Sequence, residues 1–396
     1  MTVPPADEGV KLETIVAGAA FQPLQEQWDG LVRGMPRPSP FLLHAWLNEW
    51  WRHYGEGRRL QVEVAFRGPR LVGALPLCVT VRRGLGVAEF MGGHGSALGD
   101  LLLAEGEDES LGRALATRAF SGNHDLADLF GLPGNSRLAA AFPAGELRLL
   151  ERVEAPILDL TDGWDDAYER ITSARTRQLH RRRRRRLSDL GALEVSIART
   201  PAELEPALRE AFRLHDLRWA GRPDGSEFTS PTGKRFHVAA ALALARDDVS
   251  RIVLLKLDGK AIAFHYYLAL CRRMYVHRLA FDPAFERLSP GLLNTLDAIQ
   301  AAASEGAIAV EFLGGAERYK RDLSNRVDPL YEGLGLARGI RGHVVVASRL
   351  AAIHTRLRLK RSPALHSFYF NRLAPARRVL ARLRSSAEKD PPSRDA

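Results

Sequence analysis

Apolar positions along the second half of the chain switch between a period of two and a period near that of a helix. Residues 193, 195 and 197 alternate with polar neighbours, which predicts a half-buried strand over 194–198. Thr200-Pro-Ala-Glu203 follows, with a capping residue, a proline at the first helical position and a glutamate three residues after the cap. That capping box predicts a helix running to Trp219. The Gly-, Pro-, Ser- and Asp-rich stretch 221–233 is expected to be an exposed loop, and 234–246 a second helix. Apolar runs 251–257 and 260–270 flank Asp258-Gly259, the mark of a tight hairpin. Residues 274–280 read as a strand, 281–291 as a loop, 292–305 as a helix stopped by Gly306, and 308–313 as an apolar strand. A last strand is expected over 342–348, which makes the order β-α-α-β-β-β-α-β-α-β.

The first half carries a weaker copy of this order. Its strands are expected over 12–17, 61–66, 71–81, 86–91 and 126–130, and its helices over 22–32, 40–54 and 109–120. In 40–54, Phe41, Ala45, Trp46, Trp50 and Tyr54 fall on helical spacing. Asp128-Leu-Phe-Gly lines up with Glu311-Phe-Leu-Gly. Two copies of one pattern predict two similar domains, 1–155 and 156–348, joined near 155–161. A basic helical extension over 349–384 and a disordered tail over 385–396 complete the expected organisation.

Composition narrows the chemistry. A chain of 396 residues with 45% hydrophobic and 26% charged positions is that of a soluble globular protein. Its apolar runs stop well short of the ~20 residues a membrane helix requires, and the first residues lack the basic and apolar regions of a signal peptide. Cys78 and Cys271 are far apart and fit neither a disulfide framework nor zinc-ligand spacing. A cytoplasmic protein is the expectation. No His-Glu-x-x-His, Cys/His pairing, Gly-x-Ser-x-Gly elbow or Walker loop occurs, so no metal site is expected. The net charge of +10 favours an anionic partner. Only seven of the 57 basic residues are lysine, which draws attention to Lys320.

The run Arg181 to Arg186 covers every face of its helix, with Leu179, Leu187 and Leu190 as a thin apolar stripe. It is either a solvated helix or a surface for phosphates: a lipid-linked sugar, an acidic leaflet or RNA. Aromatic residues that would stack on bases are missing from 171 to 197. The segment 274–320 carries the sharper signal. A strand feeding Ser289-Pro-Gly291 at a helix start aims unpaired N–H groups and the positive end of a helix dipole at one spot, a recipe for holding an anion.

This element order, with the segments Pro40-Phe-Leu-Leu-His-Ala-Trp46, Leu75-Pro-Leu77, Leu214-His-Asp-Leu-Arg-Trp219, Leu288-Ser-Pro-Gly291 and Gly315-Ala-Glu-Arg-Tyr-Lys320, resembles the GNAT acyltransferase superfamily. In its duplicated form it is similar to Fem-type peptidoglycan aminoacyl ligases and to CelD-like acetyltransferases of cellulose and exopolysaccharide biosynthesis. The resemblance implies an α/β fold with mixed sheets in two tandem GNAT-like domains, the second catalytic and the first shaping an acceptor cleft. It implies transfer of an acetyl or other acyl group from acyl-CoA to an amine or hydroxyl of a saccharide or lipid-linked sugar. Arg287, Ser289, Pro290 and Gly291 would hold the donor phosphates, although Pro290 removes one N–H from the usual loop. Glu311 or His277 would be the base, Tyr319 would protonate the leaving thiolate, and Lys320 would meet a phosphate or the oxyanion. Trp219, Phe228 and Arg235 would lie on the acceptor side, with His265 in the core or the pocket wall. An aminoacyl-tRNA donor is the alternative, disfavoured because no two-helix heptad insertion occurs between residues 161 and 342. A non-catalytic basic scaffold on membranes or polysaccharide machinery is the third reading.

Overall fold

The computed structural model describes residues 9–361 apart from 94, 95, 123, 144, 220–227, 229 and 316. Its first half runs β1 (Val10–Ile15), α1 (Gly18–Phe21), α2 (Gln25–Arg33), α3 (His44–Tyr54), β2 (Arg58–Arg67), β3 (Arg70–Arg82), β4 (Leu85–Phe90), β5 (Leu102–Leu103), α4 (Glu109–Phe120), β6 (Leu126–Pro133), α5 (Arg137–Ala140) and β7 (Leu147–Val153). The second half begins with β8 (Pro156–Asp159), α6 (Trp164–Ile171), α7 (Ala174–Ser188), β9 (Leu193–Ala198), α8 (Pro201–Trp219) and α9 (Pro231–Ala245). It continues through β10 (Ser250–Leu257), β11 (Lys260–Leu270), β12 (Arg273–Phe281), α10 (Pro290–Ser304), β13 (Ala309–Glu311), α11 (Arg318–Asp322), β14 (Arg326–Val327) and β15 (Leu330–Gly335). Residues 9–336 lie in one compact unit, and α12 (Gly339–Arg361) falls in a second.

Local chemistry explains these boundaries. Glu203 accepts hydrogen bonds from the N–H groups of Arg199 and Thr200, closing the predicted capping box of α8. Asp258 and Gly259 both have positive φ (48° and 77°), the backbone a tight two-residue hairpin requires between β10 and β11. β11 is buried along nearly its whole length, so it reads as a continuous apolar run.

Two mixed sheets result. One has the order β1-β2-β3-β4-β6-β15-β7, with β5 on β3, and the other β14-β8-β13-β12-β11-β10-β9. In both, an antiparallel series ends on a strand that is followed, through a helix, by a parallel neighbour: β4 with β6 and β12 with β13. The tandem mixed α/β fold expected from the sequence is present. One strand crosses over. β15, from the second half, inserts between β6 and β7 of the first sheet and hydrogen-bonds both.

The strand expected over 342–348 is wrong: these residues lie inside α12. The β-branched Val344, Val345 and Val346 do not prevent a helix, since the helical penalty of such a residue is below about 0.7 kcal/mol, and the place in the sheet is taken by β15. β15 escaped notice because it contains Gly333 and Gly335. Those glycines are needed there, since a Cβ at Gly335 would sit 2.1 Å from the Glu146 carbonyl oxygen, and one at Gly333 2.7 Å from Leu132. Of the extension expected over 349–384, residues up to 361 are in α12; the remainder and the tail lie outside the described residues.

The halves share a core. Trp46 of α3 packs its ring 5.0 Å from Phe236 of α9 and 5.3 Å from His277 of β12. Tyr275 donates its hydroxyl hydrogen to the Pro38 carbonyl. Among the described residues no helix is long and apolar enough to cross a membrane.

Candidate functional site

β12 and β13 pair only from Arg273 to Tyr275 against Ala309 to Glu311. Beyond that point β12 continues to Phe281 while the other chain turns away through Gly314 and Gly315. The parting opens a cavity of about 1000 Å³. Its walls are the end of β12, the start of α10, residues 312–315 and 317–320, and the end of α8 with His215, Arg218 and Trp219. Ala97, Phe130, Val153 and Leu330 close it from the first sheet's side.

The floor is the start of α10. Ser289 sits in the left-handed region (φ 52°, ψ 51°), a conformation that costs an L-residue roughly 1–2 kcal/mol. The first helical bond runs from the Leu293 N–H to the Ser289 carbonyl. The N–H groups of Gly291 and Leu292 precede it, while Pro290 has none to offer. Gly291 is required by packing: a Cβ would lie 2.7 Å from the Phe281 ring. Ser289, Gly291 and Leu292 all line the cavity. Pro290 is buried and is not a wall residue, and Arg287 is exposed and outside the cavity, so neither holds the place expected of it. The cations that do line the cavity are Arg218, Arg278, Arg318 and Lys320. Arg218 lies 4.4 Å over the Phe281 ring and 3.4 Å from Glu286.

Tyr319 and Lys320 come from the start of α11 and both line the cavity. The Lys320 ammonium donates to the Gly314 carbonyl at 2.9 Å and pairs with Glu317 at 3.2 Å. Burial lowers its pKa, and Glu317 acts in the opposite sense. Gly315 permits this arrangement, since a Cβ there would be 2.6 Å from the lysine nitrogen. Burial raises the Tyr319 pKa, which keeps its proton on at neutral pH.

His277 lines the cavity with its Nε2 buried and, among the described residues, without a hydrogen-bond partner. Its ring is held by Phe41, Trp46, His237 and Tyr266, with centroids 5.2–5.7 Å away. Burial, with Arg278 adding to it, pushes its pKa well below 6.5, so the imidazole is neutral at physiological pH.

Glu311 does not line the cavity. It is fully buried, with one oxygen 2.6 Å from Arg37 and the other 2.5 Å from Arg273. Burial raises its pKa, but the two guanidiniums more than offset that and hold it below the usual value. A carboxylate occupied on both oxygens and kept ionised is an interhalf ion pair, and the expectation of a base at this position is corrected.

On the acceptor side, Trp219 is a wall residue, 40% exposed, and stacks on His215 at 5.7 Å. His215, Arg218 and Arg278 were missed; for His215 the signal was its four-residue spacing from Trp219, which puts the two on one helical face. Phe228 belongs to the core, packed on Phe212 and His237 at 4.8 Å. Arg235 is exposed and donates to Thr232. His265 is fully buried in the middle of the second sheet. None of these three lines the cavity. Among the described residues no cluster of His, Cys, Asp and Glu is placed to hold a metal ion.

The buried imidazoles give the fold an acid limit. Burial lowers His215 to about 4 and His265 to about 3, and His237 and His277 also fall far below 6.5. The unfolded chain therefore binds more protons than the folded one just below pH 6.5, so stability is full above that pH and falls as pH drops. Denaturant unfolding is expected to show a loss of several kcal/mol between about pH 6.5 and about pH 5; a flat profile would contradict the burial of these rings.

The first sheet has the same parting, with β4 and β6 paired only at Val87–Leu126 and Ala88–Ala127. Here the gap is filled by the chain itself. Gly99 donates its N–H to the Gly131 carbonyl, and Leu98 and Leu101 are buried. Asp100 accepts from Ser136 and from the N–H groups of Leu101, Arg137 and Leu138. The start of α4 is capped by the Asp108 carboxylate, the wrong charge for a phosphate.

Residues 174–321 match the family model described as an acetyltransferase (GNAT) domain, so this stretch is similar to a GNAT acetyltransferase domain. No curated protein sequence matches the chain. Among solved structures, the chain is similar to FemX, with a TM-score of 0.57 and 10% identity over 82% of this chain and 96% of that one. It is similar to a conserved protein of unknown function from Bacteroides thetaiotaomicron, with a TM-score of 0.53 and 14% identity over 82% and 99% of the two chains. It is also similar to the C-terminal domain of a protein provisionally named a lysylphosphatidylglycerol synthetase from Agrobacterium fabrum. That TM-score is 0.52, with 13% identity over 85% and 96%. At such identities the likeness is one of fold.

Proposed function

We propose that the protein is an acyltransferase that moves an acetyl or other acyl group from acyl-CoA to an amine or hydroxyl of a cell-envelope sugar or its precursor. The observation that carries this reading is the parting of β12 and β13 above the start of α10. The residues fit an acyl thioester with an anionic tail. Gly291 and Leu292 offer N–H groups at a positive helix end, Arg218 and Arg278 supply charge, and a cavity of about 1000 Å³ admits the pantetheine arm.

His277, neutral and unpaired at Nε2, takes the proton of the attacking amine or hydroxyl as the C–N or C–O bond forms and the thioester C–S bond breaks. Lys320 stabilises the charge that develops on the carbonyl oxygen. Tyr319 gives its proton to the departing sulfur and recovers one from solvent. Trp219 offers a flat face to a saccharide at the cavity mouth, and the plugged first half shapes that mouth without binding a donor itself.

The missing donor at Pro290 favours a second reading, in which the acyl donor is an aminoacyl-tRNA with no pyrophosphate to hold. Titration calorimetry with acetyl-CoA and filter binding of charged tRNA at moderate salt separate the two. Saturable acetyl-CoA binding in the micromolar range with no specific tRNA retention is the expected result. The reverse pattern selects the tRNA donor, and binding of neither leaves the basic scaffold.

A further inference from the structure

Helix α7 presents Arg175, Arg181, Arg182, Arg185 and Arg186 to solvent on the face opposite the buried His180 and Leu187. Among the described residues none of the five forms an ion pair, whereas Arg177 and Arg184 on the flanks pair with Glu169 and Asp297. The apolar stripe read from the sequence is only partly an anchor. Leu187 is buried against Leu255, Ile262 and Leu293, but Leu190 is 57% exposed.

β9, next in the chain and the last strand of the second sheet, adds to that exposed aliphatic surface. Val195 pairs with Leu255 and Ile197 with Val253. Directly paired residues project to the same side, so both stand on the sheet face that packs on α10 and that Leu187 of α7 reaches. They are 44% and 40% exposed. Unpaired guanidiniums beside exposed aliphatic side chains suit a surface with anionic headgroups over an apolar interior. A nucleic acid would call for stacking side chains, and 171–197 contains no Phe, Tyr or Trp.

We infer that this face of the second half docks on an anionic lipid bilayer, with the α7 arginines on the headgroup phosphates and Leu190, Val195 and Ile197 at the interfacial level. Leu187, on the opposite, buried face of α7, shares its apolar cluster with Phe285 and Leu288, from the turn that also carries the cavity residues Glu286 and Ser289. The inference is independent of which donor the cavity takes.

Co-sedimentation of the full chain with phosphatidylcholine vesicles, with and without a third of phosphatidylglycerol, tests it. Binding is expected only to the anionic vesicles and is expected to weaken as salt rises. An arginine near an anionic leaflet contributes about fivefold in partitioning. The combined Arg181→Gln, Arg182→Gln, Arg185→Gln and Arg186→Gln chain is then expected to lose at least ~100-fold, with an unchanged circular-dichroism melt. Val195→Ser with Ile197→Ser lowers the binding that persists at high salt, and Arg209→Gln on α8 leaves binding as it was. Retained vesicle binding in the four-arginine variant, or tighter binding of the parent to mixed-sequence RNA than to the vesicles, overturns the inference.

Discussion

The Glu311→Ala chain is expected to lose about 3–5 kcal/mol of unfolding free energy. The substitution leaves the Arg37 and Arg273 guanidiniums, only 12% and 18% exposed, without the carboxylate that both contact. Uncompensated charge in the interior costs more than the pair itself contributes. Arg37 belongs to the first half and Arg273 to β12, so the damage falls on the joint between the halves and beside the Tyr275–Pro38 hydrogen bond. Denaturant unfolding measures it. A variant of parental stability that had lost only catalysis would return Glu311 to the role of base and refute the ion-pair assignment.

His277→Gln is expected to act in the opposite way. Glutamine approximates the imidazole's volume but cannot take a proton, so thiol release from acetyl-CoA in the presence of an amino sugar falls by roughly 10²–10⁴. Acetyl-CoA affinity is expected to stay within a few-fold, because the proposed function puts the donor phosphates at the α10 start and not at β12's imidazole. The parent's rate is expected to be flat from neutral pH down to well below 6.5, reflecting the burial-lowered pKa. A variant that keeps the parental rate removes His277 from the chemistry.

What could be read in advance follows from the range of the interactions concerned. Periodicity, the Thr200–Glu203 box and the Asp258-Gly259 turn are local, and each appears in the fold. The repeated strand–helix–strand unit was legible because hydrophobic patterns carry it, and the helix start at Ser289-Pro-Gly291 because its turn residues do. Glu311 was misread because its partner Arg37 is 274 residues away, and nothing near either residue announces the contact. Arg287 was misread because the 3-10 turn over Pro283–Leu288 and the left-handed Ser289 leave its side chain in solvent. Arg218 takes the expected cationic place from another helix. β15 has glycines where a strand normally carries β-branched residues, and only the close approach of β6 and β7 explains them.

Amide hydrogen exchange with and without acetyl-CoA tests the central claim most directly. The account expects slowed exchange at Gly291 and Leu292, along 276–281 and across 312–315 and 317–320, with 99–104 in the plugged first half unaffected. Unchanged exchange at the start of α10 under saturating acetyl-CoA, or protection confined to the first half, would contradict it.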